Sequence, residues 1–278
     1  MPPWPGKNWD ELSPEKRKEA ARDMEVYAAM IEYMDEQMAR IFNWLEDNNE
    51  LDNTMIVFLS DNGANGAMST AYPGQTEEYL ATFDNSLENR GLPNSYIEMG
   101  LEWATASMSP HRLYKTFTME GGIISPCIIK LPKPLSNADK LNTAITHISD
   151  IMPTFLELAG VDHPCVQNKS IPEMIGKSLL PLLSGEKTAV HYNEGIGYEL
   201  HGMSAYIKDE WKIVSLSIPF AKGDWELFNL AEDSAESVEL SDQFPEKRTE
   251  LIGAWDEYSE KVGIIYDPLY IETILKHD

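Results

Sequence analysis

The stretch "NTMIVFLSDNGANGA", residues 53–67, decides the fold class. Met55 to Leu59 is an unbroken apolar run of β-branched and aromatic character, and Ser60-Asp61-Asn62-Gly63 stops it. Such a run between turn formers reads as a buried parallel strand. It delivers a carboxylate and an amide to its C-terminal end, where open α/β sheets bind ligands. Both side chains offer the hard oxygens that Ca²⁺ and Mg²⁺ take, and Gly63 lets the backbone turn sharply behind them. The same triplet also reads as an ordinary turn. Asp61 and Asn62 are therefore candidate metal ligands, with the turn as the plain alternative.

Upstream, "SPEKRKEA" begins a helix. Ser13 suits the N-cap, Pro14 the first helical position, and Glu15 the positive end of the dipole. Lys16 stands where a capping box needs Glu or Gln, so the box is incomplete. Met24, Tyr27, Ala28, Ile31, Met34, Met38, Ile41, Phe42 and Leu45 recur at helical spacing. They predict one long amphipathic helix to about Leu45, ended by Asn48 and Asn49. Pro2, Pro3 and Pro5 predict an extended entry segment.

Downstream, the pattern breaks from Ala67 to about Leu113, a loop long enough to suggest function. "IISPCIIKLP" predicts a second buried strand, containing Cys127. "THISDIMPTFLELAG" predicts a helix with Asp150 near its cap and Gly160 past its end. Leu179 to Leu183 reads as a helical turn. After about residue 190, "SAYIKDEWKIVSL" reads as a hairpin turning at Asp209-Glu210, and "WELFNL" as a third strand. A final helix puts Leu251, Ile252, Trp255 and Tyr258 on one face and stops at Gly263. The expectation is an α/β domain over 1–190, a mostly parallel sheet with flanking helices, and a small antiparallel sheet with one helix over 191–278.

Composition narrows the function. The net charge of −24 argues against nucleic acid as a partner, because phosphate contacts need clustered Lys and Arg. No stretch approaches the ~18 apolar residues of a membrane span. The N-terminus lacks the apolar core of a signal peptide, so a cytoplasmic protein is expected. Two cysteines, Cys127 and Cys165, make no disulfide scaffold.

Four further side chains are candidates. Lys115, near the Gly121-Gly122 pair, reads either as a contact for an anionic oxygen or as a solvated lysine. His111 reads as a ligand or proton donor, or as a packed histidine. His147 reads as a loop histidine bonded to backbone, and His201 lies beside the hairpin, where it lines a cleft or merely its surface.

Taken together, "DMEVYAAMIEYMDEQMARI", "NTMIVFLSDNGANG", "LYKTFTMEGGIISPCIIKLP", "ITHISDIMPTFLELAG", "MSAYIKDEWKIV" and "WELFNLAEDSAESVELS" resemble bacterial arylsulfatases, within the alkaline-phosphatase-like superfamily. The resemblance implies that Asp61 and Asn62 match the later ligand pair for a divalent cation, usually Ca²⁺. It implies that Lys115 contacts sulfate oxygens, and that Glu120, Gly121 and Gly122 form the glycine-rich turn behind it. Where the family places an arginine, this chain has Ile124. The family's formylglycine arises in C-x-P-x-R or S-x-P-x-R, and neither cysteine fits. The family's early Asp-Asp pair has no counterpart either. The chain thus resembles the C-terminal half to two-thirds of an arylsulfatase.

Three expectations follow. A homo-oligomer, most simply a dimer, would cover the apolar surface that a missing part leaves bare. Two protein ligands hold Ca²⁺ weakly, so Zn²⁺ or Mn²⁺ becomes an alternative if a histidine joins them. The function is then slow, promiscuous hydrolysis of small phosphate or sulfate esters by a metal-activated water, with Lys115 stabilising charge. The alternatives are a catalytically silent fragment and a module that binds a cation or anion.

Overall fold

A computed structural model describes residues 8–135, 141–166, 170–191, 193–217, 220 and 223–265. The entry segment at Pro2, Pro3 and Pro5 lies outside them. Helix α1 spans Pro14–Asp47 and begins as its residues dictate, with the Ser13 side chain accepting from the Lys16 amide. Its first half is tied down. Arg90 forms a two-pronged ion pair with Asp23 at 2.7 and 3.0 Å, and Trp103 Nε1 donates to Ala20 O at 2.8 Å. Every residue from Tyr27 to Glu36 is exposed, and α1 has no fully buried residue. The amphipathic spacing made the helix, but its apolar stripe is exposed at Tyr27, Ile31, Met34, Ile41 and Phe42.

Strand β1 (Ile56–Leu59) follows and pairs with β2 (Cys127–Lys130), Leu59 opposite Cys127. The pairing is antiparallel where the sequence suggests a parallel strand, and all four β1 residues are only half-buried. An apolar run specifies that a strand wants cover, not which way its neighbour runs. Cys127 is exposed, correcting the expectation of a buried second strand. Between the two strands lie α2 (Glu77–Leu80), α3 (Gly100–Met108) and α4 (Glu120–Ile123). Helix α3 falls inside the expected loop. Its sequence opens on glycine and carries Ser and Thr, which favour caps over helix interiors, so tertiary contact holds it: Ala104 is fully buried.

Helices α5 (Ile151–Ala159) and α6 (Leu180–Leu183) form where expected, and Gly160 closes α5 in the left-handed conformation. The C-terminal layer is a four-stranded antiparallel sheet in the order β3 (Ile196–Leu200), β4 (Met203–Lys208), β5 (Trp211–Ser215), β6 (Trp225–Asn229), with α7 (Pro245–Val262) packed on it. His201 and Gly202, both at positive φ, make the two-residue turn from β3 to β4. That places His201 at a hairpin tip. Alternation then sends the sheet's side chains to two faces. Tyr206, Ile213 and Leu227 meet Leu251 and Trp255 of α7. On the opposite face Met203, Ala205, Val214 and Phe228 meet Phe117 and Met119. The loop carrying Lys115 is thus pinned to the sheet through its own side chains. Among the described residues no helix is long and apolar enough to cross a membrane.

Candidate functional site

The site grows from the end of β1. Ser60 Oγ donates to Asn62 O at 3.0 Å and curls the chain as it leaves the strand. Asp61 is exposed and Asn62 half-buried. The next two residues are stitched to other segments: Gly63 N donates to Gly122 O at 2.9 Å, and Ala64 O accepts from Lys115 N at 2.9 Å. Close approach demands glycine here. A Cβ on Gly63 would sit 1.9 Å from Gly121 O, and one on Gly121 would sit 2.2 Å from Leu113 O.

Lys115 therefore lies on a segment hydrogen-bonded to the one that carries Asp61 and Asn62. It is half-buried, and its ammonium forms no hydrogen bond or ion pair with any described residue. The backbone beside it is strained: Leu113 has φ 61° and Thr116 φ 92°. For a β-branched residue that conformation costs roughly 1–3 kcal/mol, and such costs concentrate at functional sites.

His111 is bound through one ring nitrogen. Its Nδ1 lies 2.8 Å from Ser234 O, an acceptor only, so that nitrogen carries the proton and is engaged by the C-terminal layer. Arg112 beside it donates to Glu236 O at 3.1 Å. As donors for a divalent ion, Asp61 and Asn62 fit in kind: both present oxygen, and no described side chain competes for the Asp61 carboxylate. In number they supply two of the roughly six to eight oxygens Ca²⁺ takes. Among the described residues no group of three or more His, Cys, Asp or Glu is gathered to hold a metal.

Two buried polar clusters were not singled out from sequence. Lys212 of β5 is wholly buried against Glu120 and Glu236, with Nζ 2.8 Å from an oxygen of each. Burial acts to lower its pKa, but the two carboxylates outweigh burial and hold the ammonium above its ordinary value. Burial pushes the Glu236 carboxyl up. The signal in the sequence was a lysine at an inward position of the hairpin. The second cluster centres on Asp150, also without exposure, which accepts from His147 N, Lys177 N and His191 Nε2 at 2.8, 2.8 and 2.9 Å. His147 is bonded to backbone as expected, its Nδ1 accepting from Ser149 N at 3.2 Å.

Comparison with known proteins identifies the family. The family model described as Sulfatase matches residues 2–161, and that of the N-sulphoglucosamine sulphohydrolase C-terminal region matches residues 110–253. An uncharacterized sulfatase of Schizosaccharomyces pombe is 39% identical over 265 residues, covering 94% of this chain and 48% of that protein. An arylsulfatase of Klebsiella aerogenes is 38% identical over 175 residues, covering 62% and 37%. The solved structure of Ps i-CgsB, bound to k-i-k-neocarrahexaose, shares the fold at 22% identity with a TM-score of 0.62, over 92% of this chain and 48% of that one. This chain spans half or less of the length of these two curated relatives. By the family match over more than half of its residues, the chain belongs to the sulfatase family.

Proposed function

We propose that this chain takes part in hydrolysis of sulfate or phosphate esters, slowly and with broad substrate tolerance, using a divalent cation held at Asp61 and Asn62 and an anion contact at Lys115. One observation carries the reading: the backbone bonds from Gly63 to Gly122 and from Ala64 to Lys115, both 2.9 Å, which hold the candidate cation ligands and the uncommitted ammonium on adjoining segments.

Asp61 and Asn62 contribute two oxygens, and the remaining ligands come from water, the ester or another chain. When bound, the cation supplies positive charge to the ester oxygens and makes water more acidic. Lys115 offers its ammonium to a non-bridging oxygen, where negative charge grows as the ester bond breaks. In this reading water serves as the nucleophile. The exposed part of the apolar stripe of α1 goes with a homodimer that covers it, and a clean monomer by light scattering refutes that part.

The low donor count favours a second reading, in which the chain is catalytically silent. Chromogenic sulfate esters and phosphate mono-, di- and triesters, assayed with EDTA-treated and metal-refilled protein, separate the two. Metal-restored turnover that Asp61→Ala and Lys115→Ala abolish supports hydrolysis. Absence of both turnover and thermal stabilisation by metal supports silence, and stabilisation without turnover supports mere capture of the ion. Turnover unchanged by Asp61→Ala refutes the metal role.

A further inference from the structure

Lys212 occupies an expensive position. It lies between Ile207 and Phe228 in the sheet register, on the face away from α7, with no exposed surface. Its Nζ donates to Glu120 Oε1 at 2.8 Å and lies at 2.8 Å from Glu236 Oε1, the latter an ion-pair contact without hydrogen-bond geometry. The other oxygen of Glu236, Oε2, accepts from the Glu120 backbone amide at 2.7 Å. Glu236 is itself held at φ 52°, and its carbonyl accepts from Arg112. Two carboxylates and one ammonium out of water are not an efficient source of stability. Apolar side chains of similar volume often do as well or better at such sites. What buried ions supply that apolar contacts do not is direction.

The direction here is toward the candidate site. Glu120 opens the turn whose Gly121 N donates to Arg112 O at 2.9 Å and whose Gly122 O accepts from Gly63 N. Thr118 Oγ1, two residues earlier, donates to Ser204 O of β4 at 3.3 Å. A continuous set of polar contacts therefore runs from β5 through Glu120 and Gly122 to the segment of Asp61 and Asn62. The Lys115 loop closes the circuit through Ala64.

We propose that Lys212 and Glu236 are positioning residues: their buried contacts with Glu120 fix the 120–122 turn and, through it, the register between Lys115 and the Asp61–Asn62 pair. What that register serves rests on the function proposed above. The register itself does not, and its test needs no turnover.

Residue-resolved amide hydrogen exchange reads it. Glu236→Leu leaves one ammonium and one carboxylate, so charge stays balanced, but it removes the acceptor for the Glu120 amide. The Glu120 and Gly63 amides then exchange at least about tenfold faster, relative to the β4–β5 ladder. Glu236→Gln keeps an acceptor oxygen and stays within about threefold of the parent protein at both amides. If Glu236→Leu leaves Gly63 as protected as before, or speeds the whole ladder by the same factor, Glu236 is ordinary core and the proposal fails. Should Glu236→Leu not fold, Glu120→Gln decides. It weakens the Lys212 anchor and speeds Gly63 at least about threefold over the ladder, and an unchanged ratio overturns the proposal. Absence of ester turnover in the parent protein would refute the functional reading and leave this result standing.

Discussion

Replacing Asp150 tests how the segment around α5 is held. The carboxylate has no exposed surface, and it accepts from two backbone amides, His147 N and Lys177 N, and from His191 Nε2. Burial alone would raise its pKa. The bond from His191 and the bonds from the two amides outweigh that and hold the carboxyl below the ordinary aspartate value. Asp150→Ala removes all three bonds at once and leaves two backbone N–H groups without their acceptor. A hydrogen bond to a charged group contributes about 1.5–3 kcal/mol, and each orphaned buried donor costs about 1–3 kcal/mol. These terms overlap and do not add, so the expected loss is about 3–5 kcal/mol. Urea unfolding followed by tryptophan fluorescence measures it as a fall in the midpoint with little change in slope. A loss below about 1 kcal/mol would refute the reasoning, because it would mean that water or rearranged backbone satisfies those donors equally well.

Three further outcomes follow from the same structure. Gly63→Ala drives a Cβ to 1.9 Å from a backbone oxygen; it should cost roughly 2 kcal/mol or more in urea unfolding and expose the Lys115 loop to proteolysis. Phe228→Ala removes a ring buried to 1% exposure between the sheet and Phe117, with an expected loss of about 3–5 kcal/mol in the same unfolding assay. Stability should fall on acidification in two stages. Burial holds the His147 imidazole below its ordinary value, so the unfolded chain takes up that proton first and stability declines as pH drops below about 6.5. Asp150, depressed in the folded chain, adds its loss below about pH 4. Unfolding midpoints that stay flat from pH 7 to pH 4 would contradict the His147 part.

Much of the local structure was legible because single residues specify it. Ser13 and Pro14 start α1, Gly160 and Gly263 end α5 and α7, and Asp209 turns the β4–β5 hairpin at positive φ. These are short-range steric and capping effects, and a few neighbouring residues decide them. The sulfatase resemblance was legible too, because it rests on runs of residues rather than on their packing.

The sequence by itself determined that a carboxylate and an amide follow an apolar strand, and that a lysine and two glycines come later in the chain. Only the tertiary structure decided that Gly63 and Ala64 bond to Gly122 and Lys115, that β1 pairs antiparallel with β2, and that His111 Nδ1 meets Ser234 O. It also decided that Lys212, a surface residue by type, lies wholly buried between two glutamates drawn from distant parts of the chain. The physical reason is range. Caps and turns are fixed by sterics within a few residues, whereas strand partners and buried ion pairs depend on which distant segments exclude water together.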